Sequence, residues 1–341
     1  MTVGIIGAGS FGITLATLIS ENHRVLVYTR SKDKLDTINL ERISHGVSLS
    51  EKIKATDDVE EVAACKLLFP VVPSSSFREV IQLFQPYLNP EHIILHGTKG
   101  LDVEGIRDEE LLNVYFQRKQ VHTMSEVVRK ESTVVRVGTV AGPNLAREIL
   151  DGQPAAAVIA SEFNEVIRLG SSILSSRRFF TFGNHDLKGT ELAGAYKNII
   201  ALGSGMLAGL DMGKNMQAIL INRGLHEMIK FGLAFGATTK PFFGAAGIGD
   251  LVATATSENS RNFTFGKRLA QGETLEHILQ SSEEIVEGVR TLRIVRQLAR
   301  NEELFLPITE IIYKVVFDQM DTDKAISLLM RYNYAEDVDF I

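Results

Sequence analysis

The pattern of apolar and polar positions changes once along the chain, near residue 187. Before that point, short apolar runs alternate with stretches whose apolar residues recur at helical spacing. After it, the strand-like runs stop and only long stretches with helical spacing follow. Alternating strands and helices are typical of a doubly wound parallel sheet. We therefore predict an α/β domain over residues 1–186 and an all-helical domain over residues 187–341.

The apolar runs give the expected bounds of the elements. Predicted strands cover residues 3–6, 24–28, 66–72, 92–96, 134–140, 154–160 and 179–182. Predicted helices of the second domain cover residues 187–210, 216–235, 285–299 and 308–317. Residues 103–131 are charged and poorly patterned, and we expect a helix with a loop there.

The first predicted strand leads directly into a glycine motif. Gly7-Ala8-Gly9-Ser10-Phe11-Gly12 follows residues 3–6 and precedes a helical pattern. In this context Gly7 suits a tight turn, Gly9 the close approach of a pyrophosphate, and Gly12 the packing of a helix on a strand. The alternative is a set of glycines that serves only a turn. The context favours a Rossmann-like dinucleotide-binding domain.

The residues after the second strand indicate which dinucleotide is bound. In such domains an acidic residue about 20 positions after the glycines contacts the ribose of NAD. Here Thr29-Arg30-Ser31-Lys32 occupies that place, with no carboxylate. The guanidinium of Arg30 and the ammonium of Lys32 suit a 2′-phosphate, so we predict that NADP is preferred over NAD. The alternative is a solvated basic turn.

Lys99 lies just beyond another predicted strand, in Gly97-Thr98-Lys99-Gly100. Ligands of open α/β sheets bind beyond the carboxyl ends of the strands. We therefore expect Lys99 to meet the nicotinamide or the substrate.

The first helix of the second domain carries Lys197 and Asn198 in a stretch that is otherwise small or apolar. A helix that is apolar all round is normally buried, and a buried ammonium needs a partner. A general acid or base at Lys197 is one interpretation. The alternatives are a lysine that extends to solvent from a helix end and one that pairs with Glu191.

A second polar cluster follows within residues 244–262. Its glycines allow a backbone to approach a ligand closely, and Arg261 and Asn262, behind Ser260, supply donors for an anion. For Asp250 the alternative is an N-cap, and for Arg261 it is a surface ion pair.

Composition excludes several other classes of protein. The 341 residues are 45% apolar and 23% charged, with a net charge of −6 spread over both signs, so we expect no nucleic-acid partner. The polar centre of residues 187–210 argues against a membrane span. The single Cys65 suits the reducing cytoplasm. The eight histidines lack metal-ligand spacing, so we predict no metal.

Several motifs together resemble a known family. They are the Gly7–Gly12 turn, His96-Gly97-Thr98-Lys99-Gly100, Gly142-Pro143, Glu191-Leu192-Ala193-Gly194-Ala195-Tyr196-Lys197-Asn198, Arg223-Gly224-Leu225, Gly247-Ile248-Gly249-Asp250-Leu251, Ser260-Arg261-Asn262 and Val286-Glu287-Gly288-Val289. In this order they are similar to the motifs of NAD(P)-dependent sn-glycerol-3-phosphate dehydrogenases of the bacterial soluble type. The resemblance implies reversible reduction of dihydroxyacetone phosphate, a phosphorylated triose, to sn-glycerol 3-phosphate for glycerophospholipid synthesis. It also implies a homodimer and a substrate-binding role for the domain of residues 187–341.

The resemblance assigns roles to residues of this chain. It implies that Lys197 is the general acid in reduction and the base in oxidation. Implied catalytic residues are Lys197, Lys99, Asp250, Asn198 and Thr254. Implied substrate contacts are Lys99, Gly142, Asn144, Lys197, Asp250, Ser260, Arg261 and Asn262. Implied cofactor contacts are Gly7, Gly9, Ser10, Phe11, Gly12, Arg30, Lys99, Ala146, Arg261, Ile285 and Glu287.

Two other hypotheses share this architecture. A 3-hydroxyacid dehydrogenase or a ketopantoate-type reductase also places a lysine on the first long helix after the dinucleotide domain, but its substrate carries a carboxylate in place of a phosphate. A catalytically silent NADPH sensor would not need Lys197 with Asp250, Arg261 and Asn262.

Overall fold

The computed structural model describes residues 1–282 and 285–331, which form two compact units. Unit 1 comprises residues 1–102 and 122–191, and unit 2 comprises residues 103–121 and those that follow residue 191. The change between units therefore falls inside a helix, close to the boundary that the sequence pattern predicts. Whether residues 187–341 act as the substrate-binding domain stays a prediction.

The strands of the main sheet all belong to unit 1. They are β1 (Thr2–Ile6), β2 (Arg24–Tyr28), β5 (Ile53–Thr56), β6 (Leu67–Pro70), β7 (Ile93–His96), β10 (Arg136–Ala141), β11 (Ala155–Ser161) and β12 (Phe179–Asn184). Short strands β3 (Ile43–Ser44) and β4 (Val47–Ser48) form one ribbon, and β8 (Asp102–Val103) and β9 (Val121–His122) form another.

The main sheet has the strand order β12-β11-β10-β7-β6-β1-β2-β5. Its neighbours are parallel except for β10 and β11, which are antiparallel. The order runs outward from β1 in both directions, so the predicted doubly wound, Rossmann-like domain is confirmed. Edge strand β5 is missing from the prediction, because only Ile53 and Ala55 are buried in it and two apolar positions make a weak pattern.

The helices of unit 1 are α1 (Ser10–Ser20), α2 (Lys32–Asp36), α3 (Val59–Ala63), α4 (Ser74–Phe84), α5 (Met124–Glu131), α6 (Ala146–Leu150) and α7 (Asn164–Leu174). Helix α8 (Leu187–Gly209) begins in unit 1 and continues into unit 2. Unit 2 continues with α9 (Lys214–Ala234), α10 (Lys240–Phe243), α11 (Asp250–Thr256), α12 (Arg261–Ala270), α13 (Leu275–Ser281), α14 (Glu287–Asn301), α15 (Pro307–Phe317) and α16 (Thr322–Arg331). Every helix within the described ranges is too short or too polar to serve as a transmembrane segment.

The sheet separates two apolar clusters because successive strand residues point to opposite faces. Ile5 belongs to one cluster together with residues of α1 and α7. Its neighbour Ile6 belongs to the other, together with residues of α3, α4 and α5. Unit 1 is thus a three-layer α/β/α arrangement.

Small residues in α8 allow another helix to approach very closely. A methyl group on Gly205 would overlap the carbonyl of Phe263, and one on Gly266 would overlap the carbonyl of Leu202. The backbones of α8 and α12 are therefore in direct contact, which explains why this stretch of sequence is so rich in glycine and alanine.

Residues 103–121 pack within unit 2 rather than with the sheet. Arg290 Nε donates to Asp108 Oδ1 at 2.7 Å, and Asn301 Nδ2 donates to the carbonyl of Phe116 at 2.8 Å. This segment holds no α-helix, and the expected helix is α5, which follows it. A charged stretch between two sheet strands gives no local signal for its long-range partners, so the sequence pattern placed it with the first domain.

A buried carboxylate connects three helices of unit 2. Glu227 of α9 accepts hydrogen bonds from the backbone N–H groups of Ile308 and Thr309, at 2.5 and 3.0 Å, from Thr309 Oγ1 at 2.9 Å and from Tyr196 Oη at 3.1 Å. Two of these donors are the otherwise unpaired N–H groups at the start of α15. Burial raises the pKa of Glu227 to about 7, although the hydrogen bonds act in the opposite direction.

The raised pKa of Glu227 predicts a pH dependence of stability. The folded state binds the Glu227 proton more tightly than the unfolded chain does. Protonation of Glu227 therefore stabilises the fold fully below about pH 4.5, and this stabilisation is lost as the pH rises through about 7. Between these values we expect the free energy of unfolding of the wild type to fall by about 3 kcal/mol more than that of Glu227→Gln. Urea unfolding at several pH values measures this difference. Exposed Glu276→Gln is the matched control and should follow the wild type. Identical pH profiles for all three proteins would contradict the assignment.

Candidate active site

The glycine turn between β1 and α1 has the geometry of an open cradle. Gly7 has φ +121°, and a methyl group there would lie 2.5 Å from the carbonyl oxygen of Val71. A methyl group on Gly12 would overlap the carbonyl of Gly7, whereas one on Gly9 would meet no atom of the described part of the chain within 4 Å. The space above Gly9 therefore suits a pyrophosphate, and α1 begins at Ser10 without a side-chain cap on its N–H groups.

The end of β7 lies beside this turn. A methyl group on Gly97 would come within 2.8 Å of the Phe11 ring, so glycine is needed for the aromatic ring to pack there. Ser10 and Phe11, at the start of α1, are both partly exposed and so accessible to a ligand.

Lys99, Gly142 and Asn144 come together because β7 and β10 are parallel neighbours. Lys99 Nζ donates to the carbonyl of Gly142 at 3.0 Å, and Asn144 Nδ2 donates to the carbonyl of Ala141 at 3.0 Å. Asn144 Oδ1 is buried and has no hydrogen-bond partner among the described residues. An acceptor in this state is suited to a ligand donor. Ala146 begins α6, immediately after this loop.

The Arg30 side chain is exposed at the carboxyl end of β2. The following Ser31 caps α2, because its Oγ accepts a hydrogen bond from the backbone N–H of Lys34 at 3.3 Å. Arg30 is thus held at the turn that precedes α2 and is accessible to an anion.

In unit 2, Lys197 lies in the middle of α8 and is 4% exposed. Its Nζ donates to Asp250 Oδ1 at 2.6 Å and to Thr254 Oγ1. Thr254 Oγ1 in turn donates to Asp250 Oδ1 at 3.3 Å. Asp250 and Thr254 are four residues apart on α11, so both face the ammonium. The structure therefore contradicts both alternatives for Lys197, an extension to solvent and a pair with Glu191.

The neighbouring Asn198 belongs to a second row of hydrogen bonds. Asn262 Nδ2 donates to Asn198 Oδ1 at 2.9 Å, and the backbone N–H of Gly288 donates to Asn262 Oδ1 at 2.9 Å. A methyl group on Gly288 would lie 2.7 Å from Asn262 Oδ1. The start of α14 thus fixes the orientation of the Asn262 amide.

Arg261 is exposed at the start of α12, and one of its terminal nitrogens donates to the carbonyl of Ile285 at 3.2 Å. Ser260 caps the same helix, with its Oγ accepting from the N–H of Phe263 at 3.3 Å. Glu287, partly exposed, is the first residue of α14. Arg261, Ile285 and Glu287 therefore lie at the starts of α12 and α14. The row of hydrogen bonds through Asn198, Asn262 and Gly288 reaches the same helix starts.

Two interpretations of the 244–262 cluster need correction. Asp250 is not an N-cap, since Gly249 occupies that position of α11 and the Asp250 carboxylate contacts Lys197. Gly247 is required by the chain itself, because a methyl group there would overlap the backbone of Phe242. The sequence pattern predicted that these glycines allow a backbone to approach a ligand. At Gly247 the close approach is instead to the backbone of Phe242 in the same unit.

Besides the cluster around Glu227, a second buried polar cluster is absent from the sequence prediction. Glu191 accepts hydrogen bonds from the N–H and Oγ of Ser125, at 2.7 and 2.5 Å, and His96 Nε2 lies 2.9 Å from Glu191 Oε1. Burial raises the pKa of Glu191, but the His96 contact and the Ser125 hydrogen bonds outweigh burial, so the net shift is downward. Nothing local in the sequence links these three residues. The described residues hold no group of three or more His, Cys, Asp or Glu side chains that could bind a metal ion.

Comparisons with known proteins match both units to one family. The family model described as NAD-dependent glycerol-3-phosphate dehydrogenase N-terminus matches residues 2–167, and the corresponding C-terminus model matches residues 186–327. These two matches together cover most of the chain.

Individual relatives agree with the family models. The chain is 36% identical to glycerol-3-phosphate dehydrogenase [NAD(P)+] of Saccharophagus degradans, over 99% of this chain and 92% of the relative. It is 37% identical to the enzyme of the same name from Halothermothrix orenii, over 96% and 94%. The crystal structure of glycerol-3-phosphate dehydrogenase from Coxiella burnetii matches with a TM-score of 0.87 and 30% identity, over 97% of this chain and 98% of that one.

The cradle of unit 1, the buried lysine of unit 2 and these full-length matches agree, and the chain belongs to the NAD-dependent glycerol-3-phosphate dehydrogenase family.

Proposed function

We propose that this chain catalyses the reversible reduction of dihydroxyacetone phosphate to sn-glycerol 3-phosphate with NADPH or NADH. The observation that carries the proposal is the Lys197 ammonium, which is almost fully buried and held by Asp250 and Thr254. A buried, oriented proton donor is what ketone reduction requires of the protein. Family membership supports the same reaction.

Unit 1 supplies the proposed cofactor site. The open cradle at Gly9 and the start of α1 suit the pyrophosphate. Lys99 and Asn144 Oδ1, which has no hydrogen-bond partner within the described ranges, suit the reactive end of the dinucleotide or the substrate. When bound, the nicotinamide supplies the hydride that reaches C2 of the ketone. Arg30, with no acidic residue between Thr29 and Lys32, supports a preference for NADP.

Unit 2 supplies the proposed proton. As hydride reaches C2, negative charge develops on the carbonyl oxygen, and Lys197 Nζ transfers a proton to that oxygen to give the hydroxyl. In the oxidation direction the neutral amine accepts this proton. Asp250 and Thr254 are positioning residues, because each holds Nζ from α11 and keeps the donor in place between turnovers.

The phosphate of the substrate requires a separate set of donors. Arg261 presents an exposed guanidinium anchored at the carbonyl of Ile285, and Asn262 presents an amide oriented by Asn198 and Gly288. A guanidinium and an amide at the start of one helix can bind a dianionic phosphate through charge-assisted hydrogen bonds. Family membership supports a phosphate over a carboxylate at this place. Ser260 is assigned to the same phosphate site.

The wider setting of the enzyme is part of the proposal. We propose that it acts in the cytoplasm, where a single buried Cys65 remains reduced, and that its product supplies glycerophospholipid synthesis. We also propose a homodimer, which the motif resemblance supports. Light scattering on the purified protein distinguishes one chain from two.

Oxidation of NADPH by the purified protein, followed at 340 nm, tests the reaction. We expect turnover with dihydroxyacetone phosphate and none above background with ketopantoate or 3-oxo acids. Turnover of a carboxylate substrate alone would overturn the proposal in favour of a ketopantoate-type or 3-hydroxyacid enzyme.

Lys197→Ala should lower kcat by about a thousandfold, because it removes the proton donor. The dissociation constant for NADPH, measured by fluorescence, should stay unchanged. Lys188→Ala is the matched control, since Lys188 lies on the same helix but pairs with Glu126. Wild-type turnover in Lys197→Ala would contradict the assignment.

Arg261→Ala should raise KM for dihydroxyacetone phosphate about 10- to 100-fold and lower kcat much less, because a phosphate contact is present in both ground and transition states. Arg268→Ala, on the same helix but paired with Glu273, should leave KM near the wild-type value. If Arg261→Ala lowered only kcat, Arg261 would not be a phosphate ligand.

A further inference from the structure

Helix α2 follows the end of β2 through a turn that its own side chains stabilise. Thr29 Oγ1 accepts from the N–H of Ser31 at 3.3 Å, and Ser31 Oγ accepts from the N–H of Lys34 at 3.3 Å. The Lys34 backbone is therefore fixed relative to the end of β2. The sequence pattern indicated only Arg30 and Lys32 in this turn.

The Lys34 side chain contacts the glycine turn. Its Nζ donates to the carbonyl of Ala8 at 3.2 Å, although the two residues are 26 positions apart. Ala8 lies between Gly7 and Gly9, the residues that shape the cradle. Among the described residues the ammonium has no other hydrogen-bond partner, and neither Asp33 nor Asp36 is paired with it. Lys34 is exposed, so water solvates its ammonium, and the contact with the neutral Ala8 carbonyl leaves the positive charge accessible to an anion.

We propose that Lys34 determines cofactor specificity by binding the 2′-phosphate of NADP. The inference rests on the proposed function and adds a residue to its cofactor site. In this fold the adenosine ribose lies at the end of β2, and its 5′-oxygen joins it to the pyrophosphate at the glycine turn. The Lys34 side chain spans these two places, since its backbone lies on the helix after β2 and its Nζ contacts the carbonyl of Ala8. Arg30 and Lys34 then supply two cations for a group of charge −2, which NAD lacks.

Lys32 is a weaker candidate for geometric reasons. Two residues on a helix differ by about 200° in direction, so Lys32 and Lys34 cannot face the same point. Lys34 is the one whose ammonium reaches the glycine turn. Lys32, at the first position of α2, and Lys34 are both exposed, so the two lysines differ in direction and not in accessibility.

The binding of two small ligands tests the proposal without any turnover. Adenosine 2′,5′-bisphosphate carries the 2′-phosphate, and 5′-AMP differs from it only by lacking that group. For the wild type we expect tighter binding of the bisphosphate by calorimetry. Lys34→Gln should weaken bisphosphate binding about tenfold and change 5′-AMP binding less than about twofold. Lys34→Arg should keep most of the preference.

Two further variants sharpen the comparison. Lys54→Gln, an exposed lysine on the neighbouring strand β5, is the control for a general change in charge and should bind both ligands as the wild type does. Lys32→Gln should reduce bisphosphate binding less than Lys34→Gln. The ratio of the dissociation constants of NADPH and NADH, measured by fluorescence, should shift toward NADH in Lys34→Gln.

Several results would overturn the proposal. Equal losses for both ligands in Lys34→Gln would show that Lys34 only supports the glycine turn. A larger effect of Lys32→Gln would assign the phosphate to Lys32. A wild type that binds NADPH and NADH equally would remove the role of Lys34 and leave the proposed dehydrogenase intact. A wild type that binds neither dinucleotide would overturn the proposed function as well.

Discussion

The site of unit 2 depends on the burial of one ammonium. Removing Lys197 Nζ from water is costly unless an anion and further acceptors replace the solvent. Asp250 supplies the charge and Thr254 the second acceptor, and both come from α11 at the four-residue spacing that places them on one face. The glycine-rich residues 244–249 allow α11 to begin where it does, since Gly247 packs against the backbone of Phe242.

Helix α8, which carries Lys197, also carries Asn198, the first member of a second row of polar side chains that has no formal charge. Asn198 follows Lys197, and its amide oxygen accepts from Asn262, which is itself fixed by the N–H of Gly288. These hydrogen bonds between neighbouring members fix the orientation of the Asn198 and Asn262 amides. The close contact of α8 with α12 at Gly205 and Gly266 keeps Asn198 and Asn262 within reach of each other. The hydrogen bond between the two asparagines therefore depends on the close packing of α8 against α12.

Unit 1 reaches a comparable result by different means. Parallel strands deliver their carboxyl ends to one edge of the sheet, so that the glycine turn, Arg30, Lys99 and Gly142 lie along that edge despite their distance in sequence. Charged groups here are partly exposed, and the backbone provides much of the binding surface. Such an edge is accessible to a long anionic ligand, whereas the asparagine row of unit 2 is buried and held in one orientation.

Local patterns were enough to predict the doubly wound sheet, the glycine turn and the unusual position of Lys197, because helix and strand periods and glycine spacing are properties of neighbouring residues. The sequence pattern indicated Arg261 and Asn262 as donors for an anion. The substrate phosphate as that anion, and the roles of Asp250 and Thr254, came from a family resemblance, and all of these roles stay predictions. What only the tertiary structure decided were pairings between distant residues: Lys197 with Asp250, Glu191 with His96 and Ser125, Glu227 with the start of α15, and Lys34 with Ala8. Strand β5 and the placement of residues 103–121 belong to the same group. A buried polar group must find a partner, but which residue becomes that partner depends on how distant segments pack, and no local period records it.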